Sequence, residues 1–351
     1  MLVITCTPNI RYLSNHIGSA GVLVLTRAGA SLLVDFRYRE AVDALQRSAS
    51  ACPDLVVRHV PASYDEALLE CLGDLRASAI GFEAAHVPVA THGRWRRMAE
   101  TRQVDVTFTA TESLVEDARA VKDAFEIATL REAGARLTEV ARSALDAVRG
   151  GETERAVAGR IDTAIREAGY ERLAFDTIVA SGPNAALPHH HPGDRVLADG
   201  DLVVLDFGGV FNGYCCDLTR MASVGAPSAE ARRLYDAVYD ASQAAIAAIR
   251  PGVESTAVDA AARDLLKARG LGEAFGHSTG HGLGLDVHEL PRVARARADV
   301  AAVRLESGMV FTVEPGAYVP GLGGVRIEDD VVVTETGCDV LTAVPHGLCR
   351  R

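Results

Sequence analysis

The chain of 351 residues is 48% hydrophobic and 24% charged, a composition typical of a globular protein, and at about 150 residues per domain its length predicts two domains. Its formal net charge of −11 argues against a nucleic-acid partner, because a nucleic-acid-binding surface needs a basic patch. No run of about 18 apolar residues is present, so we expect no membrane span and no membrane partner.

The cysteines and the start of the chain bear on the compartment. There are seven cysteines, an odd number, and the adjacent pair Cys215 and Cys216 has poor geometry for a disulfide. Residues Met1–Ile10 lack the basic segment of a signal peptide. We therefore predict reduced thiols and a cytoplasmic location.

The first 119 residues predict a small α/β domain, because strand-like runs alternate with helical stretches and so favour a mixed or parallel sheet. The strand-like runs are Gly21–Leu25, Ser31–Val34, Leu55–His59 and Ser78–Gly81, and the helical stretches are Glu40–Ala49 and Tyr64–Leu75. The charged stretch Ser113–Leu130 contains no Pro or Gly and predicts a connecting helix. We place the domains at 1–119 and 120–351.

The second domain contains two similar blocks at an offset of 101 residues. Each has a helix with apolar residues at helical spacing, a stop, and a second helix. The matching pairs are Arg149 and Arg250, Gly151 and Gly252, Ala156 and Ala257, Val157 and Val258, and Gly169 and Gly270. Either two helical hairpins share capping residues by chance, or the domain is an internal duplication in which each half supplies an equivalent part of a central site.

A strand that ends near Asp206 follows the first block. Asn212-Gly213 is a strong signal for a two-residue hairpin turn. With that turn, Asp206 lies opposite Thr219, and Asp217 is its diagonal neighbour on the same face, at a Cα separation of about 7–8 Å. Two carboxylates at that range can share a cation, and without one they would raise each other's pKa.

The second block is followed by a similar pair of strands, Met309–Glu314 and Val325–Val333. Glu314 and Glu328 are equidistant from Gly321, so they could face each other, although the longer loop leaves the register open. A single acid at a strand end is usually solvated. Four acids in apolar strands, paired in two hairpins, predict bound metal ions instead, because buried carboxylates need compensation.

Histidines supply the remaining candidates. In the Gly-rich segment His277–Glu289, His281 lies between Gly280 and Gly282 and is the best metal ligand. The triplet His189–His191 is either a surface run or a second functional cluster. One His and four carboxylates form an oxygen-rich site that favours Mn²⁺, with Co²⁺, Fe²⁺ or Zn²⁺ as alternatives, over a thiolate zinc site.

Together these segments resemble the pita-bread metallopeptidases, the family of prolidase, aminopeptidase P, methionine aminopeptidase and creatinase. The matching segments, in order, are Asn184–His189, Leu205–Gly209, Asp217–Arg220, His277–Glu289, Thr312–Gly316 and Val325–Asp329. Asn9–Leu13, Asp35–Tyr38 and Ile80–Glu83 resemble the creatinase-type leading domain, in which the Asn9–Leu13 segment is expected to form a strand. The implied fold is α+β, a duplicated pita-bread catalytic domain preceded by a smaller α/β domain.

The resemblance also implies a metal-binding site and a mechanism. Asp206 and Asp217 would hold one divalent ion, His281 and Glu314 the other, and Asp217 and Glu328 would bridge the two. The ions would share a hydroxide that attacks the scissile carbonyl. Glu314 would accept a proton, His288 would stabilise the tetrahedral intermediate, and His189 would bind substrate and relay protons. Creatinase itself lacks these ligands, and Cys216 stands where the family usually has a Ser that is not a ligand.

The leading domain points toward the Xaa-Pro peptidase branch, so we predict a peptide substrate with proline at the second position. Arg292 and Arg326 are candidates for binding a substrate carboxylate, and His277 is expected to line the pocket. The family implies a homodimer in which the leading domain of one subunit reaches toward the active site of another. Two alternatives stay open, namely a metal-dependent enzyme for a non-proline or non-peptide substrate, and a non-catalytic protein-binding module.

Overall fold

The structure is a computed structural model that describes residues 1–298, 301–345 and 348–350. It divides into two compact units, Met1–Ala118 and Arg119–Arg351, each with its own buried apolar clusters. Within the described ranges, every helix is too short or too polar to cross a membrane.

The first unit is built on one six-stranded sheet. Its strands are β1 (Leu2–Ile4), β2 (Val22–Thr26), β3 (Gly29–Asp35), β4 (Leu55–Val60), β5 (Ala79–Glu83) and β6 (Thr107–Thr111), and its helices are α1 (Thr7–Ser14), α2 (Arg39–Gln46), α3 (Tyr64–Asp74) and α4 (Val89–Thr101). The strand order is β4-β3-β2-β1-β5-β6. The pairs β1–β2 and β2–β3 are antiparallel and the other three are parallel, which confirms the predicted mixed sheet.

The expectation of a strand at Asn9–Leu13 is wrong, because this segment lies within helix α1. Pro8 occupies the first turn, where a missing N–H costs nothing, and Asn15 closes the helix in the left-handed conformation with φ of 58°. The side-chain amide of Asn9 donates to Glu83 Oε1 over 2.6 Å and so fixes the helix against the end of β5. The sequence did not predict this helix, because its eight residues are too few to show a clear helical spacing of apolar side chains.

The expected connecting helix over Ser113–Leu130 is two helices, α5 (Leu114–Ala120) and α6 (Ala124–Ala147). Asp123 separates them. Its side chain accepts from the Glu126 amide over 2.9 Å, and the Glu126 side chain accepts from the Asp123 amide over 2.9 Å. This capping box starts a new helix inside the charged stretch.

The rest of the second unit consists of helices and strands, and its described strands form three sheets. The helices are α7 (Glu154–Glu167), α8 (Ala229–Ala248) and α9 (Ser255–Ala268), and the strands are β7 (Arg172–Leu173), β8 (Ile178–Ser181), β9 (Leu202–Phe211), β10 (Tyr214–Ser223), β11 (Gly280–Gly282), β12 (Glu289–Val293), β13 (Val310–Val313), β14 (Gly316–Val319), β15 (Gly323–Arg326), β16 (Asp329–Val333), β17 (Cys338–Val340) and β18 (Cys349–Arg350). One sheet has the order β18-β10-β9-β7, with β8 also on β9, the second has β12-β11-β13-β16-β17, and β14 pairs with β15.

The internal duplication is visible in the helices. Helices α7 and α9 have the same length of 14 residues and begin 101 positions apart. The glycines at equivalent positions share the left-handed conformation, with φ of 89° at Gly151 and 82° at Gly252, and 87° at Gly169 and 76° at Gly270. The shared glycines therefore mark a real structural repeat, because each has the same backbone task in both halves.

Strand alternation decides where the acids of the first half point. Val203, Leu205 and Phe207 of β9 join the apolar cluster beneath α6 and α7. Leu202 and Val204 join the cluster that contains α8 and α9. Because side chains alternate along a strand, Asp206 lies on the face of Leu202 and Val204, away from α6 and α7 and toward the middle of the unit.

Candidate metal centre

The first half presents two acids on one face of a regular hairpin. The turn is Asn212-Gly213, with φ of 48° and 83°, and the ladder runs without interruption from Phe211–Tyr214 to Leu202–Ser223. Asp206 lies opposite Thr219, and Asp217 lies opposite Gly208, as the turn predicted. Both acids are buried, with 7% and 6% of their surface exposed.

The second half presents two acids at an interruption of its ladder. Strand β13 pairs with β16 up to Val313–Asp329, and β14 pairs with β15 from Gly316–Arg326. Both ladders have the register centred on Gly321, so Glu314 and Glu328 occupy opposite positions in the gap between them. The Glu314 amide donates to Thr279 O over 2.7 Å, and the Glu328 amide donates to Thr219 O over 3.1 Å. Neighbouring strands therefore hold the backbone of both acids.

His281 lies in β11 and faces these acids. Its Nδ1 donates to the Gly282 carbonyl over 3.1 Å, which leaves Nε2 as the free ligand atom. Nε2 is 3.9 Å from Asp217 Oδ2 and 3.7 Å from Glu314 Oε1. A Cβ at Gly280 would overlap the Thr312 carbonyl oxygen, so the glycine permits the close approach of β11 and β13 that places His281 here.

The electrostatics of this cluster indicate a missing positive charge. Burial and the charge of Asp206 raise the pKa of Asp217 well above its ordinary value, and burial and the charge of Asp217 do the same to Glu328. Burial raises the pKa of Glu314 to about 8. Uncompensated carboxylates at this depth are costly, and a cation is the usual compensation.

The hydrogen bonds show where that cation fits. Asp206 Oδ1 and Asp217 Oδ1 are buried and accept no hydrogen bond from the described part of the chain. Ligand atoms of Asp217, His281 and Glu328 all lie within 4.8 Å of one another. Carboxylate oxygens with one imidazole are a donor set that suits divalent ions such as Mn²⁺. The residues present therefore fit the divalent metals that the sequence predicts.

Arg326 is the buried cation beside this cluster. Its Nη2 donates to Asp206 Oδ2, its Nη1 to the Tyr318 hydroxyl over 2.8 Å, and its Nε to Thr219 Oγ1 over 3.2 Å. Thr219 Oγ1 in turn donates to Glu328 Oε2 over 2.5 Å. Arg326 thus fixes the orientation of Asp206, a proposed ligand, and most of its donors are already engaged by the protein.

His277 belongs to the same network through Tyr318. Its Nδ1 donates to Ser278 O over 2.8 Å, and its Nε2 lies 2.9 Å from the Tyr318 hydroxyl. Burial lowers the pKa of His277 to about 4, so the ring is neutral at pH 7 and Nε2 accepts a hydrogen bond from the Tyr318 hydroxyl. The Tyr318 oxygen remains available as the acceptor for Arg326.

His288 and His189 lie at the exposed side of the site. The rings of His281 and His288 are 4.3 Å apart between centroids. Burial, followed by the charge of His189, lowers the pKa of His288. Arg292 lies opposite His281 in the β11–β12 ladder, and its side chain is exposed. His189 and His288 are thus close enough for the charge of one to affect the other. The two candidate arginines differ in burial, since Arg326 is buried and Arg292 is exposed.

Sequence reasoning overlooked two of the residues that support the site, Asp330 and Tyr318. Asp330 accepts from the Asp217 amide over 2.9 Å, and Tyr318 links Arg326 to His277. Glu289 pairs with both Arg119 and Lys122, and so anchors the backbone next to His288. For Asp330 the available signal was its position close to Glu328 in the sequence, because its contact with Asp217 joins residues that are distant in the chain.

Comparison with known proteins identifies the family. Residues 128–335 match the model of metallopeptidase family M24, and residues 1–121 match the Creatinase/Prolidase N-terminal domain. The chain belongs to metallopeptidase family M24. The predicted resemblance is confirmed, and the protein is a metallopeptidase and hence a hydrolase.

Similar proteins span nearly the whole chain. The uncharacterized peptidase YqhT of Bacillus subtilis is 36% identical over 99% of this chain and 94% of its own length. The structure of an Xaa-Pro dipeptidase from Bacillus anthracis superposes with a TM-score of 0.92 at 34% identity, covering 100% of this chain and 94% of the other. That of an X-Pro aminopeptidase from Thermotoga maritima gives 0.87 at 33% identity, covering 99% and 97%. These matches confirm the predicted pita-bread fold with its creatinase-type leading domain.

Proposed function

We propose that this M24 metallopeptidase hydrolyses the peptide bond that precedes a proline, with two divalent metal ions in the cluster of Asp206, Asp217, His281, Glu314 and Glu328. The observation that carries the proposal is the convergence of Asp217, His281 and Glu328, whose ligand atoms lie within 4.8 Å of one another. The choice of Xaa-Pro substrates is supported by the similarity to an Xaa-Pro dipeptidase and an X-Pro aminopeptidase.

The positions of the acids support the division of ligands. Asp206 and Asp217 come from adjacent strands of the first half, which suits one ion. His281 Nε2 is 3.7 Å from Glu314 Oε1, which suits the other. Burial and the charge of Asp217 raise the pKa of Glu328, and ligand atoms of the two residues lie within 4.8 Å of each other, which supports our proposal that they would bridge the ions. We propose Mn²⁺ as the native metal, because four of the five ligands are hard oxygen donors.

The bound ions would polarise the scissile carbonyl and lower the pKa of a shared water toward about 7. The residues of the chain then handle protons and orientation. Glu314 is the proton acceptor, since its side chain is 16% exposed while Asp217 is 8% exposed. His288 and His189 lie on the open side, where His288 stabilises the developing oxyanion and His189 binds substrate and relays protons. Arg326 keeps Asp206 in its binding orientation.

The arginines bear on whether dipeptides are the substrates. A dipeptidase must bind the free carboxylate of its substrate, and a cation is the natural partner. Arg326 is buried and donates to Asp206, Tyr318, Thr219 and the Pro188 carbonyl, so we now assign it to ligand orientation. The exposed Arg292 remains the candidate for a substrate carboxylate, and dipeptide hydrolysis remains our proposal.

We also propose a cytoplasmic homodimer. The six cysteines whose side chains the structure describes are all free thiols, which is typical of a reducing compartment. Sedimentation velocity tests the assembly, and a single species with the mass of one chain would contradict it.

The experiment that tests the proposed function compares four substrates on the Mn²⁺-loaded protein. These are an Xaa-Pro dipeptide, its C-terminal amide, a longer Xaa-Pro peptide and the matched Xaa-Ala dipeptide. We expect the Xaa-Pro dipeptide to be cleaved best and the amide to lose at least about 10²-fold in kcat/KM, because the cation is left unpaired. Equal rates on dipeptide and amide, or faster cleavage of the longer peptide, would favour an aminopeptidase. Equal cleavage of Xaa-Ala would reject proline specificity.

A further inference from the structure

Glu154 is a fully buried carboxylate that lies outside the metal cluster and has no place in the mechanism above. It is the first residue of α7, and it accepts hydrogen bonds from a single segment, residues 181–193. Oε1 accepts from the Ser181 amide over 2.8 Å, the Ser181 hydroxyl over 2.7 Å and the Asn184 amide group over 3.0 Å. Oε2 accepts from His190 Nε2 over 2.8 Å and the Gly193 amide over 3.2 Å.

The carboxylate is charged at neutral pH. Burial raises the pKa of Glu154, but the hydrogen bonds from His190, Ser181 and Asn184 outweigh burial, so the pKa lies below its ordinary value. The first turn of α7 also favours a negative charge. Since a carboxylate only accepts, His190 Nε2 carries the proton in this contact.

The duplication shows that the helical hairpin does not require this acid. Glu154 and the first residue of α9, Ser255, are equivalent positions at the offset of 101, and the two helices have the same length. Ser255 is also buried, but it is not an acid. The carboxylate is therefore particular to the half that carries the 181–193 segment.

That segment carries His189 at its middle. His189 is exposed, and no hydrogen bond of its ring is found within the described ranges of the chain. The carbonyl of Pro188, directly before His189, accepts a hydrogen bond from Arg326 Nη1 over 3.3 Å, and Arg326 also donates to Asp206, so this part of the segment lies beside the site. Because no partner among the described residues fixes the ring, its position depends on the segment on either side. Glu154 holds that segment through the backbone of Ser181 and Gly193 and through the side chains of Asn184 and His190.

We propose that Glu154 is a positioning residue that holds the 181–193 segment and thereby aims His189 at the substrate. The inference rests on the proposed role of His189. It assigns a catalytic consequence to a carboxylate that is distinct from the metal ligands and from the residues that orient them.

The variant Glu154→Gln replaces one of the two acceptor oxygens of the carboxylate by an NH₂ group. A glutamine offers one oxygen and one NH₂ group, so whichever way the amide lies, one end presents N–H groups to the N–H donors of the segment. The matched control is Asp162→Asn, the same change on the same helix. Asp162 accepts from Thr177 Oγ1 over 2.6 Å, outside residues 181–193.

Hydrogen exchange tests the contact without any substrate. In Glu154→Gln we expect the amides of 182–193 to exchange at least about 10-fold faster than in the wild type, while α6, α8 and the control Asp162→Asn keep wild-type rates. Unchanged exchange in 182–193, or acceleration throughout the unit, would overturn the inference. This result does not depend on turnover, so it remains decisive if the wild-type protein fails to cleave Xaa-Pro peptides and the proposed function falls.

A double-mutant cycle tests the catalytic consequence. Glu154→Gln should lower kcat for an Xaa-Pro dipeptide about 10- to 100-fold, with metal content unchanged. In the His189→Ala background the same change should lower kcat by less than about 2-fold, because the residue acts through His189. Equal losses in both backgrounds, or a parallel loss of metal, would overturn the inference. If Glu154→Gln does not fold, His190→Ala replaces it, with the exposed neighbour His191→Ala as control, and the same results decide.

Discussion

The two halves of the second unit differ in how they deliver their acids. In the first half, β9 and β10 form a continuous ten-residue ladder, and the short side chains of Asp206 and Asp217 project from one face. In the second half, the ladder is interrupted, and Glu314 and Glu328 occupy the gap between β13–β16 and β14–β15. The first half thus uses regular strands with aspartates, and the second uses irregular backbone with glutamates.

The helices of the two halves differ far less. Helices α7 and α9 match in length, and the glycines that flank them match in conformation. The helices have the same task in each half, which is to cover a sheet with apolar side chains. The proposed ligands on the strands, by contrast, differ between the two halves. The repeat is therefore closest in the helices, which serve packing in both halves, and weakest in the strands that carry the proposed ligands.

The largest effect is expected at His281, the proposed histidine ligand of the second half, which has no counterpart among the proposed ligands of the first half. His281→Ala should lose bound metal and lower turnover on the order of 10³-fold or more, because several kcal/mol of metal stabilisation are lost. His288→Ala lies in the same segment and is the control for ligation. It should retain metal and lower kcat by about 10²-fold. Metal analysis that finds the same loss in both variants would reject the division into ligand and oxyanion roles.

A buried ion pair joins the halves. Arg220 of β10 donates to Asp329 Oδ1 and to the Glu328 carbonyl, each over 2.5 Å, and both side chains of the pair are at most 3% exposed. Arg220→Met should lower the free energy of unfolding by about 3–5 kcal/mol, because Asp329 is left as an uncompensated buried charge. Denaturant unfolding measures this. Restoration of stability in Arg220→Met with Asp329→Asn would support the cause, and a loss below 1 kcal/mol in the single variant would contradict it.

The smallest effect concerns the close approach of strands in the second half. Gly280→Ala would place a Cβ against the Thr312 carbonyl, and we expect a loss of about 1–3 kcal/mol in stability together with weaker metal binding, since His281 follows directly. Gly276→Ala is the matched control, because a Cβ there meets no atom within 4 Å. Similar melting temperatures for the two variants would show that the space at Gly280 does not limit the site.

The sequence predicted the first half of the site better than the second. The Asn212-Gly213 turn has only one favoured geometry, so it fixed the register and placed Asp206 opposite Thr219. The loop at Gly321 gave the correct centre of the register, but the interruption beside Glu314 was hidden, because it depends on bonds to Thr279 and Thr219 in distant strands. Long-range contacts of this kind leave no local pattern.

The same reason accounts for the supporting residues. Glu154 and Asp330 look like ordinary acids in the sequence, and their partners lie 27 or more and 113 residues away. Two helix boundaries were missed for different reasons. Helix α1 is too short to show a clear apolar period, and the break at Asp123 depends on capping within a few residues. The α/β character of the first domain, by contrast, followed from its alternating strand-like and helical segments, and the α+β fold of the second domain followed from the family resemblance.

The central claim is that acids from both halves hold two metal ions on which peptide hydrolysis depends. The most direct test titrates metal-free protein with Mn²⁺ and measures bound ions and Xaa-Pro dipeptide hydrolysis on the same samples, for the wild type and for Asp217→Ala. The account predicts two ions per chain in the wild type, turnover that rises with their binding, and loss of both in Asp217→Ala. Full turnover in protein without bound metal, or in Asp217→Ala with its metal retained, would contradict it.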